Sequence, residues 1–392
     1  MEQMVASLRH MDREVTFFMK KWICMLVALM LLSGTAMAEV PGNRLGFELL
    51  RELSDGTKNQ VLSPVSLAAA LSMAAQGAEG ETKQQMLAAL GEEEPFEAEM
   101  VLESLVETGL RHANAAFLPG EIVPKEQYIS DLEQLFCAKW FEREETSVDS
   151  INRWVEDMTD GMIDSAVERI PEEVVLTLVN AIALDAKWAV TFDPDLNSED
   201  VFHAPQGDVE AVFMHNEFFA GYGERDNVQL LKLNYRNANG LAFYAALPQT
   251  GDMDAVLEGL CAEGLDYFRF GEEMSMVRLS MPKTDIAAAN DFTDVLPAMG
   301  MERAFSDAAE FSGITEEIPV ALGAVFQKAR LILDEEGTRA AAATMVMAKV
   351  TGAYNPEMIV EFNMNRPFAF VIAHEGTGAV CFAGIVADPN GN

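Results

Sequence analysis

Residues 334–368 read DEEGTRAAAATMVMAKVTGAYNPEMIVEFNMNRPF and form the most informative segment of the chain. The ARLILDEEG run that leads into the segment predicts a strand, and MIVEFNMNRPFAFVI at its end predicts another. Four consecutive alanines behind Thr338 favour a helix by propensity, with Thr338 as its N-cap. The roughly twenty residues between the two strands nevertheless lack an apolar helical face, and a long segment of that kind in a compact domain is typically functional.

The rest of the sequence changes from helical patterns to strand patterns along the chain. SPVSLAAALSMAAQG (63–77) predicts a helix with Ser63 as N-cap, and SVDSINRWVEDMTDG (147–161) predicts another. VVLTLVNAIAL (174–184) is a continuous apolar run typical of a buried strand, and VRLSM (277–281) alternates strictly between apolar and polar residues. Helices first and strands later, without regular alternation of the two, favour the α+β class.

The composition indicates an acidic protein with a large core. Of 392 residues, 49% are hydrophobic and 23% are charged, which are ordinary globular values. A net charge of −36 without a basic stripe excludes nucleic acid as a partner, because phosphates would be repelled. Neither a Pro/Ser-rich linker nor a repeat interrupts residues 39–392, so we expect a single domain there.

The N-terminal residues have the pattern of an export signal. MKKWICMLVALMLLSGTAMA, which starts at Met19, contains two lysines, an apolar run and an A-x-A-like end. We expect residues 1–38 to be a signal peptide that is cleaved after Ala38, leaving a secreted chain without membrane association. A membrane anchor is the alternative, although the apolar run is shorter than the ~20 residues that span a bilayer. Residues 1–18 precede a sufficient start at Met19, and we expect them to be an over-extended start.

The sequence lacks the motifs of common enzyme and metal sites. It contains no H-E-x-x-H, no G-x-S-x-G, no phosphate loop and no C-x-x-C. Of the four cysteines, Cys24 lies in the expected signal peptide, and the remaining Cys137, Cys261 and Cys381 are widely spaced and odd in number. The apolar neighbours of Cys137 and Cys381 predict inert buried thiols. We therefore expect no catalytic activity, no bound metal and no cofactor. The MKK start, the A-x-A end and the absence of a disulfide pattern favour a bacterial origin.

From about Leu45 to Pro389 the chain resembles the serpin family. Besides the segment of residues 334–368, six motifs match in the family's order and spacing: NQVLSPVSLAAALSMAAQGAEGET, INRWVEDMTDGMI, LVNAIALDAKWAVTFD, AMGMERAFSDAAEFSGI, RPFAFVI and CFAGIVADP. The first is similar to the shutter segment of serpins and the second to their helix-F segment. The resemblance implies an α+β serpin fold with three β-sheets, eight or nine helices and an exposed reactive-centre loop at about residues 335–362.

Serpins are suicide inhibitors of proteases, and the resemblance implies that function for this chain. The protease attacks the exposed loop and forms an acyl-enzyme, and the cut loop then inserts into the main sheet as a new strand. The implied partner is an extracellular serine protease, held in a covalent complex. The alternative is a non-inhibitory serpin-fold binding or carrier protein, whose hinge is free to accumulate bulky, charged or proline residues.

The start of the loop matches the serpin hinge, and its small residues suit insertion into a sheet. The resemblance assigns the hinge to Glu335, Gly337, Thr338, Ala340, Ala341, Ala342, Ala343 and Thr344. Because side chains alternate between the faces of a strand, every second residue from Thr338 to Thr344 would enter a packed core, and all of these are small. Gly337 is expected to supply the backbone freedom of a pivot. Arg339 replaces an acidic residue that serpins often carry, and we expect it to face solvent.

The resemblance also assigns residues to the shutter and breach regions, where the sheet opens: Ser63, Ser66, Asn180, Trp188 and Gln327. Gln327, in AVFQKARL, stands where many serpins have a histidine. Its amide is expected to hydrogen-bond Ser63, Ser66 and Asn180. The substitution argues against a histidine-based pH switch at this position.

The bond that the protease cuts follows from the family's usual spacing of about seventeen residues after the hinge glutamate, Glu335. That spacing gives Thr351–Gly352. The loop is a few residues longer than usual, so Val350–Thr351 is an alternative. Both bonds suit a protease with a small apolar pocket, elastase-like or subtilisin-like. A trypsin-like protease would instead have to cut after Lys349.

The charged residues also bear on heparin binding and on encounters with proteases. No basic cluster resembles the helix of serpins that glycosaminoglycans activate, so we expect no heparin dependence. We also expect the protein to be a monomer. The net charge of −36 would speed encounters with cationic proteases in a salt-dependent way. Solubility of an exported protein is the simpler explanation of the same charge.

Overall fold

The computed structural model describes residues 40–118, 122–142, 145–170, 176–236, 240–269, 274–338 and 359–391. The predicted signal peptide, residues 1–38, lies outside these ranges and stays a prediction. Helices concentrate before Leu176 and strands after it. This order confirms the α+β class. In the described ranges, no helix has both the length and the apolar character to cross a membrane.

Seven α-helices fall within the described part of the chain: α1 (Asn43–Leu53), α2 (Pro64–Gly77), α3 (Gly80–Leu90), α4 (Glu99–Val106), α5 (Glu126–Phe136), α6 (Val148–Met158) and α7 (Asp254–Glu263). Four shorter segments of the same ranges are 3₁₀ or π turns: Pro194–Leu196, Gly264–Phe268, Pro297–Met301 and Glu302–Phe305. Helix α2 begins as predicted, because the Ser63 hydroxyl accepts a hydrogen bond from the Ser66 amide and Pro64 occupies the first turn. Almost all of α2 is buried, as its alanine- and leucine-rich sequence requires.

Sixteen strands lie in the described residues: β1 (Gln60–Leu62), β2 (Leu110–Phe117), β3 (Ala138–Trp140), β4 (Leu176–Leu184), β5 (Ala186–Lys187), β6 (Ser198–Ala204), β7 (Gly207–Arg225), β8 (Val228–Asn234), β9 (Leu241–Pro248), β10 (Met274–Pro282), β11 (Thr284–Asp291), β12 (Leu322–Leu333), β13 (Gly337–Thr338), β14 (Ile359–Asn363), β15 (Phe368–His374) and β16 (Ala379–Val386). The seven-stranded sheet has the order β3-β2-β4-β12-β13-β5, and β11 also pairs with β12. The nine-stranded sheet has the order β1-β16-β15-β9-β8-β7-β10-β14, and β6 also pairs with β7.

The resemblance implied three sheets, whereas strand pairing within the described residues joins the strands into two. The difference arises from β7, which is 19 residues long and changes partners along its length. It pairs with β6 up to Phe213, with β10 from Phe213 to Gly221, and with β8 from Gly221 to Arg225. One continuous strand therefore links two layers that would otherwise count as separate sheets.

The seven-stranded sheet is packed on both faces. On one face, Ile151 and Val155 of α6 lie in a cluster with small residues of β2 and β4, such as Ala113 and Ala181. On the other face, α2 contacts β2 and β4. Because protein interiors are close-packed, a further strand can enter this sheet only if its side chains are small.

Candidate functional site at the divergence of two strands

Two neighbouring strands of the seven-stranded sheet separate at one end. Strands β4 and β12 are parallel and pair directly as far as Ile182 and Ala329. Strand β5 follows β4 after one residue, but β13 separates β5 from β12. Thr338 of β13 lies opposite Leu333 of β12 and Ala186 of β5, antiparallel to both. The chain that follows β12 has therefore already begun a strand between its neighbours.

A tight turn at residues 334–336 reverses the chain from β12 into β13. The Asp334 carboxylate accepts hydrogen bonds from the amides of Glu336 (2.9 Å) and Gly337 (3.1 Å), as aspartate does in turns. The breach residue predicted from the sequence, Trp188, holds this turn. Its indole Nε1 donates to the Asp334 carbonyl at 2.9 Å, and its amide donates to the Glu336 carbonyl at 2.8 Å.

Gly337 is required by a close backbone approach. A Cβ atom built at this position would lie 2.0 Å from the Ala186 carbonyl oxygen and 2.7 Å from the Lys187 Cα. Its φ lies outside the left-handed region. The structure thus explains the glycine by this close approach, since any larger residue would push β13 away from β5. Its role as a flexible pivot stays a prediction.

Thr338 faces the core, as its predicted alternation requires. Its side chain is 1% exposed, and its Oγ1 lies 2.7 Å from the hydroxyl of Tyr235. The Tyr235 ring stacks on Trp188 with 4.6 Å between ring centroids, and Trp188 also meets Phe243 edge-on. Burial raises the pKa of Tyr235 well above its ordinary value, so the phenol stays protonated and can donate. A hydrogen bond to Tyr235, inside an aromatic cluster, therefore holds the Thr338 side chain in the core.

Glu335 anchors the other side of the turn. Its carboxylate accepts two hydrogen bonds from the Lys283 ammonium, at 2.8 and 2.9 Å, and one from the Asn197 side chain. Burial by itself raises the pKa of Glu335, but the hydrogen bonds from Lys283, from its own backbone amide and from Asn197 outweigh that effect. The pKa of this carboxyl is therefore lower than its ordinary value, and the ion pair with Lys283 persists at neutral pH.

Four of the predicted residues meet in one buried hydrogen-bond network, together with Asn114. The Gln327 carbonyl oxygen accepts from the Ser63 amide at 2.8 Å, and its Nε2 donates to the Ser63 carbonyl at 3.0 Å. The same Nε2 donates to Asn180 Oδ1 at 2.9 Å. The Asn180 Nδ2 in turn donates to the Ser66 hydroxyl and to Asn114 Oδ1. All five side chains are at most 1% exposed.

The network differs in two respects from the sequence expectation. Gln327 bonds Ser63 and Asn180 directly, but reaches Ser66 only through Asn180. Asn114 was not predicted, although an asparagine at a buried position of the apolar strand LRHANAAF is a signal that a polar partner must be near. Tyr235, Asn197 and Lys283 were also missed, because nothing in their local sequence marks them as partners of the hinge.

The remaining predicted loop residues lie outside the described residues. These are Arg339, Ala340, Ala341, Ala342, Ala343, Thr344, Lys349, Val350, Thr351 and Gly352. Their roles stay predictions. The described chain resumes at β14, whose first residue, Ile359, pairs with Met276 of β10.

The hydrogen bonds of this arrangement involve no cysteine thiol among the described residues. Cys381 is buried as predicted, and burial raises the pKa of its thiol to about 12, so it stays protonated. The prediction is wrong for Cys137, which is half-buried where the chain passes from α5 to β3, as is Cys261; partial burial raises the pKa of both thiols. Across the described ranges, histidine, cysteine and carboxylate side chains nowhere gather into a group that could hold a metal ion.

The sequence matches the serpin (serine protease inhibitor) family over residues 41–389. It is 29% identical over 368 residues to alpha-1-antiproteinase 2 of Equus caballus, covering 88% of this chain and 85% of that protein. It is 30% identical over 357 residues to alpha-1-antiproteinase S of Cavia porcellus, covering 85% of this chain and 85% of that protein.

Solved structures show the same likeness. The thermophilic serpin Tengpin in its native state superposes with a TM-score of 0.78 at 28% identity, covering 88% of this chain and 93% of that one. Human thyroxine-binding globulin superposes with a TM-score of 0.79 at 25% identity, covering 89% and 98%. Because the family match spans residues 41–389 and the relatives align over most of their length, the chain belongs to the serpin family.

Proposed function

We propose that this protein is a suicide inhibitor of serine proteases, which it traps by inserting its cut loop between β4 and β12. The observation that carries the proposal is the position of β13. Gly337 and Thr338 lie between β12 and β5, antiparallel to both, which is the orientation that an inserted strand needs. The protein acts on this account as the substrate of the protease and not as a catalyst.

The register of β13 supports insertion further along the loop. Continued in steps of one residue, it brings Thr344 opposite Gln327 of β12 and Asn180 of β4. Those two residues already lie opposite each other where β12 pairs with β4. Ala340 and Ala342 fill the rows between. Because the registers on the two sides agree, a continued strand fits between β4 and β12 without a shift.

Insertion must open the shutter network at its centre. The hydrogen bond from Gln327 Nε2 to Asn180 Oδ1 joins β12 to β4 and would be broken by the entering strand. Thr344 would arrive between these two amides with a small hydroxyl side chain that both donates and accepts. We infer that it restores their hydrogen bonds, whereas an apolar residue would leave each buried amide unsatisfied at about 1–3 kcal/mol.

The free energy for trapping comes from the new strand. Two antiparallel ladders would replace the single parallel ladder between β4 and β12. About a dozen added backbone hydrogen bonds at about 1 kcal/mol net each are comparable to the stability of a whole domain. The poor β-propensity of alanine is a cost, offset because larger side chains could not enter the packed sheet.

The target that we propose is an extracellular serine protease with a small apolar specificity pocket, elastase-like or subtilisin-like. Cleavage would fall at Thr351–Gly352, with Val350–Thr351 as the alternative. Cleavage after Lys349 would indicate a trypsin-like target. The mature protein would act outside the cell after removal of residues 1–38, as a monomer and without heparin.

A non-inhibitory binding protein is the second candidate, and the likeness to thyroxine-binding globulin favours it. The hinge separates the two candidates. A carrier needs no loop insertion, so its hinge need not hold small residues in a seated strand. The buried Thr338 and the close approach of Gly337 to Ala186 support the inhibitor.

The test is incubation of the mature protein with elastase, subtilisin and trypsin, followed by denaturing gels and mass spectrometry. We expect a band at the summed mass of the two proteins that survives boiling. The released C-terminal peptide then identifies the cut bond. Cleaved protein without any covalent complex, across all three proteases, would support the carrier instead.

A further inference from the structure

An apolar row crosses the exposed face of the nine-stranded sheet where the loop rejoins the fold. Phe219 of β7 lies opposite Met276 of β10, which lies opposite Ile359 of β14. Met274, two residues before Met276 in β10, lies on the same face in the neighbouring row, opposite Gly221. Phe219 and Met274 are each 52% exposed. In the part of the chain that the structure describes, Phe219 is the one aromatic residue with a mostly exposed side chain.

The next row on the same face is charged. Glu217, Arg278 and Glu361 lie opposite one another across β7, β10 and β14. The Arg278 guanidinium donates to Glu217 at 3.0 Å and to Glu361 at 2.5 Å, so two carboxylates share one cation. On this side the apolar row therefore borders a charged row with an excess of one negative charge. On the other side Lys232 lies opposite Gly221 and forms an ion pair with Glu375, so that border is neutral.

The apolar row lies outside the protein core. The opposite faces of the same strands supply the core, where Val277, Leu279 and Phe362 are fully buried. Side-chain alternation then fixes Phe219 and Met274 on the outer face, where a polar residue would serve the sheet equally well. The backbone of Phe219 and Met274 is already ordered in β7 and β10, so a partner that binds these side chains loses little conformational entropy of the protein.

We propose that this face, formed by Phe219, Met274, Met276 and Ile359, is a second contact surface for the protease engaged at the loop. The inference rests on the proposed function. The occupant that fits is a serine protease whose surface beside the active-site cleft is apolar and bordered by basic residues, since the face is apolar with an acidic border on one side.

The length of chain between the cut bond and the face supports this occupant. Gly352 and Ile359 are seven residues apart, so at about 3.3 Å per residue the face lies within roughly 23 Å of the bond along the chain. A protease domain of about 230 residues has a radius of roughly 22 Å. A protease bound at the loop is therefore large enough to reach the face, whose residue Ile359 follows the cut bond by seven residues in the sequence.

The test compares the double variant Phe219→Ser/Met274→Ser with wild type and with the control Val106→Ser. Val106 is 41% exposed at the end of α4, which contacts the seven-stranded sheet. The readout is the second-order rate of covalent complex formation with each protease that wild type traps. We expect the double variant to react about tenfold more slowly, because exposed aromatic anchors dominate contact energies, and the control to stay within about twofold. The melting temperature of all three proteins should agree.

A rate for the double variant within about twofold of wild type, against every protease that wild type traps, overturns the proposal. An equal loss in Val106→Ser overturns it too, because the effect would then not belong to this face. If wild type itself traps none of the proteases, the proposed function fails and this inference fails with it. The behaviour of wild type thus distinguishes the two failures.

Discussion

At the scale of single residues, Thr338 is the hinge residue whose buried position bears most directly on the proposed loop insertion. Its side chain is 1% exposed and bonded to Tyr235 within an aromatic cluster. A residue at this position enters the core before any cleavage takes place. The size and polarity of this side chain therefore decide whether β13 can form between β12 and β5. A buried charge without a partner would be strongly disfavoured there.

We expect Thr338→Arg to abolish covalent trapping while the protein stays folded and the loop is still cut. The guanidinium cannot be buried beside Tyr235, so the hinge would leave the sheet and the cut loop could not follow. Thr338→Ser, which keeps the hydroxyl, is the matched control and should trap normally. The measurement is the ratio of complex to cleaved protein on denaturing gels. A complex formed by the arginine variant at the wild-type ratio would contradict insertion.

Glu335 should make stability depend on pH. Since its pKa in the folded protein is lower than the ordinary value of 4.5, its contribution to stability is full above about pH 5. The contribution is lost as the pH falls through the folded-state pKa. Glu335→Gln should therefore unfold more easily than wild type at pH 7 in urea, and the difference should shrink below pH 4. A difference that stays constant between pH 7 and pH 3 would show that Glu335 contributes no charge-dependent stability.

At the scale of secondary-structure elements, the sequence predicted the helices and strands that follow from local capping and periodicity. The Ser63 cap of α2, the buried strand β4 and the alternating strand β10 are confirmed because each follows from capping or periodicity. The partners of Glu335 could not be predicted, since Asn197 and Lys283 come from distant parts of the chain. The resemblance named the shutter residues, but only the structure identifies which of them bond directly.

The shutter network should hold β12 against β4. Gln327→Leu removes the bonds to Ser63 and Asn180 and leaves their buried groups unsatisfied, so we expect a loss of about 3 kcal/mol in the free energy of unfolding. Lys328→Ala, a half-buried neighbour on the opposite face of β12, is the control and should change it by under about 0.5 kcal/mol. Urea unfolding at pH 7 measures both. A loss below about 1 kcal/mol in Gln327→Leu would mean that the network is not structural.

At the scale of the whole molecule, the fold class was accessible from the order of helices and strands, whereas the number of sheets was not. Strand β7 joins two layers by changing partners at Phe213 and Gly221, and no local pattern marks those positions. The sheet into which we propose that the cut loop inserts has both faces packed. On that proposal insertion separates β4 from β12 within this packed sheet, so its effect should appear in the stability of the whole molecule.

The measurement that tests the central claim most directly is thermal unfolding of the protein before and after cleavage within the loop. If the cut loop becomes a central strand, about a dozen kcal/mol of added stability should raise the melting temperature by roughly 15 °C. Cleaved Thr338→Arg should show no such rise, because its hinge cannot enter the sheet. An unchanged melting temperature in the cleaved wild-type protein would contradict loop insertion and with it the inhibitory mechanism.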